Sequence, residues 1–179
     1  MTQITLAVTG SISAYKAADI TSQLTKLGFE VKVLMTPSAR KFITPLTLQV
    51  LSKNQVGLDV MMEDDPQRIE HIDIGKETDL FLVAPASANT IAKLAMGLAD
   101  NMVTSTALAL PQETKKILAP AMNTKMLEHP ATQRNLKLLQ DYDYQIIQPR
   151  YATLACGDQG AGALASIETI LTTIQESLS

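Results

Sequence analysis

Apolar residues along the chain form five short continuous runs, separated by stretches in which they recur every three or four positions. Ile4–Val8, Val31–Met35, Leu80–Ala84, Ile117–Ala119 and Tyr144–Ile147 end at turn-forming residues, so each predicts a buried strand. Between the first two, Ser13 to Leu27 carries Ala14, Ala17, Ala18, Leu24 and Leu27 at helical spacing, with Gly28 as the stop signal. Pro45–Leu51 predicts a short helix with proline in its first turn. Ser166–Leu178 predicts a last helix, capped by Ser166 and apolar along Ile167, Ile170, Leu171 and Ile174. Strands without a polar face, alternating with helices from end to end, predict an α/β protein. The expected architecture is a three-layer, Rossmann-like (flavodoxin-like) parallel sheet with helices on both faces. Residues 52–79 show no clear period, and Met61-Met62-Glu63-Asp64-Asp65 reads as a surface loop.

The run from Ala86 to Leu110 is helix-rich, full of small residues and poor in charge. It is either a central helix packed on the sheet or a helix covered by a second copy of the chain, because an outer face should be more polar. With 18% charged residues overall, the second reading is favoured. A length of 179 residues fits one domain, 1–179, large enough to bury a core without staples. A net charge of −3 argues against nucleic-acid binding through a basic face. One cysteine, Cys156, and two histidines, His71 and His129, exclude a disulfide framework and argue against a metal site. No apolar stretch approaches a membrane span, and MTQITLAVTG lacks a signal-peptide pattern, so a cytoplasmic protein is expected.

Ligands of parallel α/β sheets bind beyond the carboxyl ends of the strands. Three of those ends carry hydroxyl groups: Gly10-Ser11-Ile12-Ser13, Thr36-Pro37-Ser38 and Ser87-Ala88-Asn89-Thr90. Helix N-termini there offer free N–H groups to a phosphate. Any single turn of this kind could be only a helix cap; three at one sheet edge favour a phosphate-bearing ligand. Neither Gly-x-Gly-x-x-Gly nor Gly-Lys-Ser/Thr is present. A mononucleotide such as FMN fits what is left, as does a sugar phosphate.

Five blocks occur in order: TGSISAYK (9–16), His71-Ile72-Asp73, APASANT (84–90), PAMNTKM (120–126) and Ala155-Cys156-Gly157-Asp158. Together they resemble the homo-oligomeric flavin-containing cysteine decarboxylases, over nearly the whole chain. The resemblance implies FMN at the strand ends and at a subunit boundary of a trimer, or of a dodecamer built from trimers. The residues implied to line it are Gly10, Ser11, Ile12, Thr36, Ser38, Ser87, Ala88, Asn89, Thr90 and Ala121. Phe42 either stacks on the flavin ring or belongs to the core.

The resemblance also implies a reaction: oxidation of the thiol of 4′-phosphopantothenoylcysteine to a thioaldehyde, loss of CO2, then reduction of the enethiolate to 4′-phosphopantetheine, a step of coenzyme A biosynthesis. A bare carbanion left by departing CO2 is too costly, so a cofactor must create an electron sink. In that reading His71 is the base of the oxidation. Asn123 holds the substrate carboxylate, with Met126 and Ala155 beside it. An uncharged donor suits this task, because a salt bridge would stabilise the ground state. Cys156 protonates the enethiolate. Its glycine-rich surroundings, about 149–165, read as a mobile clamp over the substrate rather than as the site of a buried thiol. His129 has no assigned role and reads as a surface residue.

Leu127 stands where the family usually has tryptophan, and Ala163-Leu164-Ala165-Ser166 departs from the family's loop ending. The closest alternative is a peptidyl-cysteine decarboxylase of the same family, whose members lack the protonating cysteine. Another is a non-catalytic flavin-binding regulatory subunit, whose long acidic extensions have no counterpart here. A synthetase supplying the substrate is expected to be a separate protein.

Overall fold

A computed structural model describes residues 1–62 and 67–179; Glu63, Asp64 and Asp65 of the expected surface loop lie outside them, while Met61 and Met62 are exposed. The elements in chain order are β1 (Gln3–Val8), α1 (Ala17–Lys26), β2 (Glu30–Met35), α2 (Pro45–Ser52), α3 (Glu70–Glu77), β3 (Leu80–Ala86), α4 (Ala88–Met96), α5 (Met102–Leu108), β4 (Lys115–Pro120), α6 (Thr124–Glu128), α7 (Pro130–Asp141), β5 (Tyr144–Ile146), β6 (Arg150–Thr153), β7 (Gln159–Ala163) and α8 (Ile167–Leu178).

All five predicted strands pair in parallel, in the order β2-β1-β3-β4-β5. Successive strand residues point to opposite faces. Ile4, Leu6, Val8, Leu80 and Leu82 therefore meet Ile20, Leu24, Ile170 and Ile174 of α1 and α8 on one side. Ala7, Phe81 and Val83 meet Ile91, Met102, Val103 and Leu139 of α4, α5 and α7 on the other. Apolar side chains on both strand faces are what forces two helical layers, and the result is the expected three-layer α/β fold.

Four local features differ from the sequence reading. The first predicted helix opens as a 3-10 turn, Ile12–Lys16, because the Ser11 hydroxyl accepts the Ser13 N–H at 3.3 Å and tightens the entry. The small-residue run divides into α4 and α5 at Gly97, which takes φ +68. Within that run Met102 to Thr106 of α5 are buried in the chain itself, while Met96, Leu98 and Leu108 are exposed. The unassigned segment contains α3, and the expected clamp loop is an antiparallel hairpin, β6–β7.

The strand order changes direction between β1 and β3, both neighbours of one another yet separated in sequence by β2. A crevice opens where the connections leaving two neighbouring strands go to opposite faces of the sheet.

Candidate active site

The loops after β1 and β3 are latched together above that crevice. Thr9 Oγ1 donates to the Pro85 carbonyl at 2.6 Å and accepts the Ser87 N–H at 2.9 Å. Ser87 then caps α4, its hydroxyl accepting the Thr90 N–H at 3.2 Å. The third wall follows β4: the Ala121 N–H bonds Ala86 O at 3.1 Å, and Asn123 caps α6 by accepting the Lys125 N–H at 2.9 Å.

The hairpin lies across this opening. Met122 N–H donates to Gly162 O at 2.9 Å, and a Cβ on Gly162, whose φ is +141, would stand 2.1 Å from Met122 O. A Cβ on Gly160 would likewise meet Thr124 Oγ1 at 2.2 Å. These two glycines let one backbone lie directly on another, which a sequence reading of mobility did not anticipate.

The open cleft measures about 520 Å³ and is lined by Gly10, Ser11, Ile12, Ser13, Tyr15, Lys16, Phe42, Ser87, Ala88, Ala121, Met122, Asn123, Met126, Arg150 and the hairpin from Ala152 to Cys156 with Gly162, Ala163 and Leu164. That size lies within the ~300–1,000 Å³ range of small-molecule and cofactor clefts. Apolar side chains, hydroxyls and a helix entry turn surround it, and among the described residues its charged lining side chains are the cations Lys16 and Arg150. Such a set suits a flat apolar ring carrying an anionic tail.

Of the residues expected at a site, Gly10, Ser11, Ile12, Phe42, Ser87, Ala88, Ala121, Asn123, Met126, Ala155 and Cys156 line this one cavity. Phe42 is 46% exposed, so it is not a core residue. Cys156 is exposed at the hairpin tip. Its Sγ accepts from Asn123 Nδ2 at 3.3 Å and donates to Asp158 Oδ2 at 3.4 Å.

Thr36, Ser38, Asn89 and Thr90 are not among the residues lining this cavity. Thr36 is buried, its hydroxyl accepting the Ala39 N–H at 3.2 Å. Thr90 is buried against Ser87, whereas Ser38, packed against Gly10, and Asn89 are exposed. The Thr36 and Thr90 hydroxyls hold the turns, the role that any single turn of this composition already suggested.

His71 is not among the residues lining the cavity. It sits part-buried in the first turn of α3; the preceding Glu70 pairs at 3.7 Å with Lys32, in the first half of β2 and away from the strands' carboxyl ends. His71 Nδ1 is buried without a hydrogen-bond partner. His129, exposed, caps α7 by accepting the Ala131 N–H at 3.1 Å. Leu127 is buried in the core beside Leu136. Sequence reasoning missed Thr9, Tyr15, Lys16 and Thr153 as site-builders, although Thr9, Tyr15 and Lys16 stand inside the TGSISAYK block.

A sequence model of the flavoprotein family matches residues 1–179. A probable phosphopantothenoylcysteine decarboxylase of Streptococcus mutans serotype c is 63% identical over 176 residues, covering 98% of each chain. The coenzyme A biosynthesis bifunctional protein CoaBC of Bacillus subtilis is 46% identical over 168 residues; these span 94% of this chain and 41% of that protein. Among solved structures, a PPC decarboxylase with a cysteine-to-serine substitution, complexed with pantothenoylaminoethenethiol, superposes with a TM-score of 0.91 at 31% identity, covering 99% of this chain and 98% of that one. The FMN binding protein AtHal3 gives a TM-score of 0.87 at 31% identity, covering 98% and 96%. Matched from first residue to last, and sharing the fold of those solved structures along nearly its whole length, the chain belongs to the flavoprotein family.

Proposed function

We propose that this chain is an FMN-dependent carboxy-lyase that converts 4′-phosphopantothenoylcysteine to 4′-phosphopantetheine in the cytoplasm. The observation that carries this reading is the meeting of Asn123 and Cys156 over a cavity of mononucleotide size at the sheet's switch point. The Streptococcus mutans relative, matched end to end, carries the name of that activity.

When bound, FMN supplies a two-electron acceptor for the substrate thiol and later returns the electrons. The 3-10 entry turn with Ser11, Ser13 and Lys16 is assigned to its phosphate, and Phe42 to its ring. Asn123 Oδ1 is held by the Lys125 N–H, which fixes Nδ2 outward as a neutral donor to the substrate carboxylate. Met126, half exposed on the same wall, packs beside it. Cys156 delivers its thiol proton to the substrate carbon.

His71 is assigned as the base, and its distance from the cavity in its own chain makes the oligomer part of the proposal. A second copy brings α3 to the cavity mouth, as in a trimer whose sites lie between subunits, or a dodecamer of such trimers. The partnerless Nδ1 supports this assignment. The substrate would come from a separate synthetase, an activity that the CoaBC relatives' extra length could accommodate.

A peptidyl-cysteine substrate is disfavoured by Cys156 at the hairpin tip, since the resemblance implies that members acting on peptides stop at the enethiol and lack the protonation step. The test is CO2 release from 4′-phosphopantothenoylcysteine by purified protein showing flavin absorption. Release that depends on flavin supports the reading; flavin-loaded protein that releases none overturns it.

A further inference from the structure

The cavity's two charged side chains stand on different walls, and one of them has no role in the account so far. Lys16 ends the entry turn after β1, beside Ser11 and Ser13. Arg150 begins β6, at the base of the hairpin whose tip carries Cys156. Arg150 Nε donates to Leu164 O at 2.9 Å. That bond pins the guanidinium by one nitrogen and leaves its two terminal nitrogens as donors, the fork that matches a phosphate.

We infer that Arg150 is the anchor for the 4′-phosphate of the substrate, and that it sets the enzyme's preference for the phosphorylated over the dephosphorylated acyl-cysteine. This rests on the proposed function. The substrate carries its phosphate and its reacting cysteine at opposite ends of a long flexible chain. β6 runs from Arg150 to Thr153, a rise of about 10 Å, before the turn that places Cys156. A ligand lying along the hairpin therefore has its cysteine under Cys156 and Asn123 when its phosphate reaches Arg150. Among the described residues neither Asp nor Glu lines the cavity, and Asp158, at the hairpin's other end, is engaged by Cys156 Sγ at 3.4 Å. Lys76, on α3, pairs with Asp73 at 3.9 Å and lies outside the cavity of its own chain. The flavin phosphate is the alternative source of the same anion, and it is assigned to the entry turn with the hydroxyls of Ser11 and Ser13 and the Lys16 ammonium.

The measurement is kcat/KM of flavin-loaded protein with 4′-phosphopantothenoylcysteine and with pantothenoylcysteine, alongside flavin content per chain. Wild type should prefer the phosphorylated substrate. Arg150→Ala should shrink that preference about ten- to a hundredfold, through KM, at undiminished flavin content. Arg150→Gln, which keeps a donor for Leu164 O, should shrink it similarly. A preference unchanged in either variant, or a loss of flavin in place of a loss of preference, overturns the inference. Should both variants fail to fold, wild type still decides. Equal kcat/KM for the two substrates refutes phosphate recognition while leaving the decarboxylase reading intact, whereas turnover of neither refutes the decarboxylase reading itself.

Discussion

Asn123 Nδ2 lies 3.3 Å from Cys156 Sγ, across a gap of 33 residues, because the cap of α6 and the tip of the β6–β7 hairpin face each other over one cavity. In the proposed mechanism the amide that holds the carboxylate and the thiol that donates the proton would therefore act on neighbouring atoms of one substrate. Replacing Cys156 with serine keeps a small polar side chain but removes an acidic proton. Cys156→Ser should still release CO2, with accumulation of the oxidised enethiol in place of 4′-phosphopantetheine. Product mass distinguishes the two, and a normal yield of 4′-phosphopantetheine would exclude the proton-donor role.

Asn123→Asp is a clean probe of charge, since aspartate caps a helix as well as asparagine does. The new carboxylate would face the substrate's own and lack the amide donor. Decarboxylation should fall by about a hundredfold or more, with little change in thermal stability. Unaltered kcat/KM would remove Asn123 from the carboxylate site.

Gly162→Ala tests the seating of the hairpin. Its Cβ would press on Met122 O at a φ that side chains rarely adopt. A cost of about 1–3 kcal/mol is expected, or a Tm lower by a few degrees, together with a larger loss of activity than of fold. Wild-type activity in this variant would mean that the hairpin need not lie where it does.

The placement of His71 predicts complementation between copies. His71→Asn and Cys156→Ser chains should each fail to make 4′-phosphopantetheine, whereas their mixture, refolded or co-expressed, should regain part of it. No recovery in mixed oligomers would argue that the two residues serve the same chain's site.

Tyr144 lends the fold a pH dependence. Burial raises its hydroxyl pKa well above the ordinary 10.0, with Lys116 Nζ 5.7 Å from the ring centre. The folded chain keeps the phenol neutral while the unfolded chain ionises it. Stability from this group is therefore complete below pH 10 and falls by about 1.4 kcal/mol per pH unit above it, until the folded pKa is reached. Urea unfolding of Tyr144→Phe should show a shallower alkaline decline than wild type; identical declines would contradict the burial effect.

The sheet was legible because each strand is apolar on both faces, so even Ile117–Ala119 announced β4. The glycine-rich segment was harder. Gly160 and Gly162 resemble flexible-loop residues in sequence, and only the tertiary contact with Thr124 and Met122 shows them to be packing sites. The hydroxyl-rich strand ends pointed to the right edge of the sheet. They could not tell Ser11 and Ser87, which line the cavity, from Thr36 and Thr90, which hold the turns behind it. His71 does not line the cavity of its own chain; in the proposed reading its relation to the site would depend on contacts between chains, which no spacing within one chain encodes.

The most direct measurement is the mass of what FMN-loaded protein makes from 4′-phosphopantothenoylcysteine. The account predicts 4′-phosphopantetheine, lighter than the substrate by CO2, and no such product from flavin-free protein. Substrate recovered unchanged from flavin-loaded protein would contradict it.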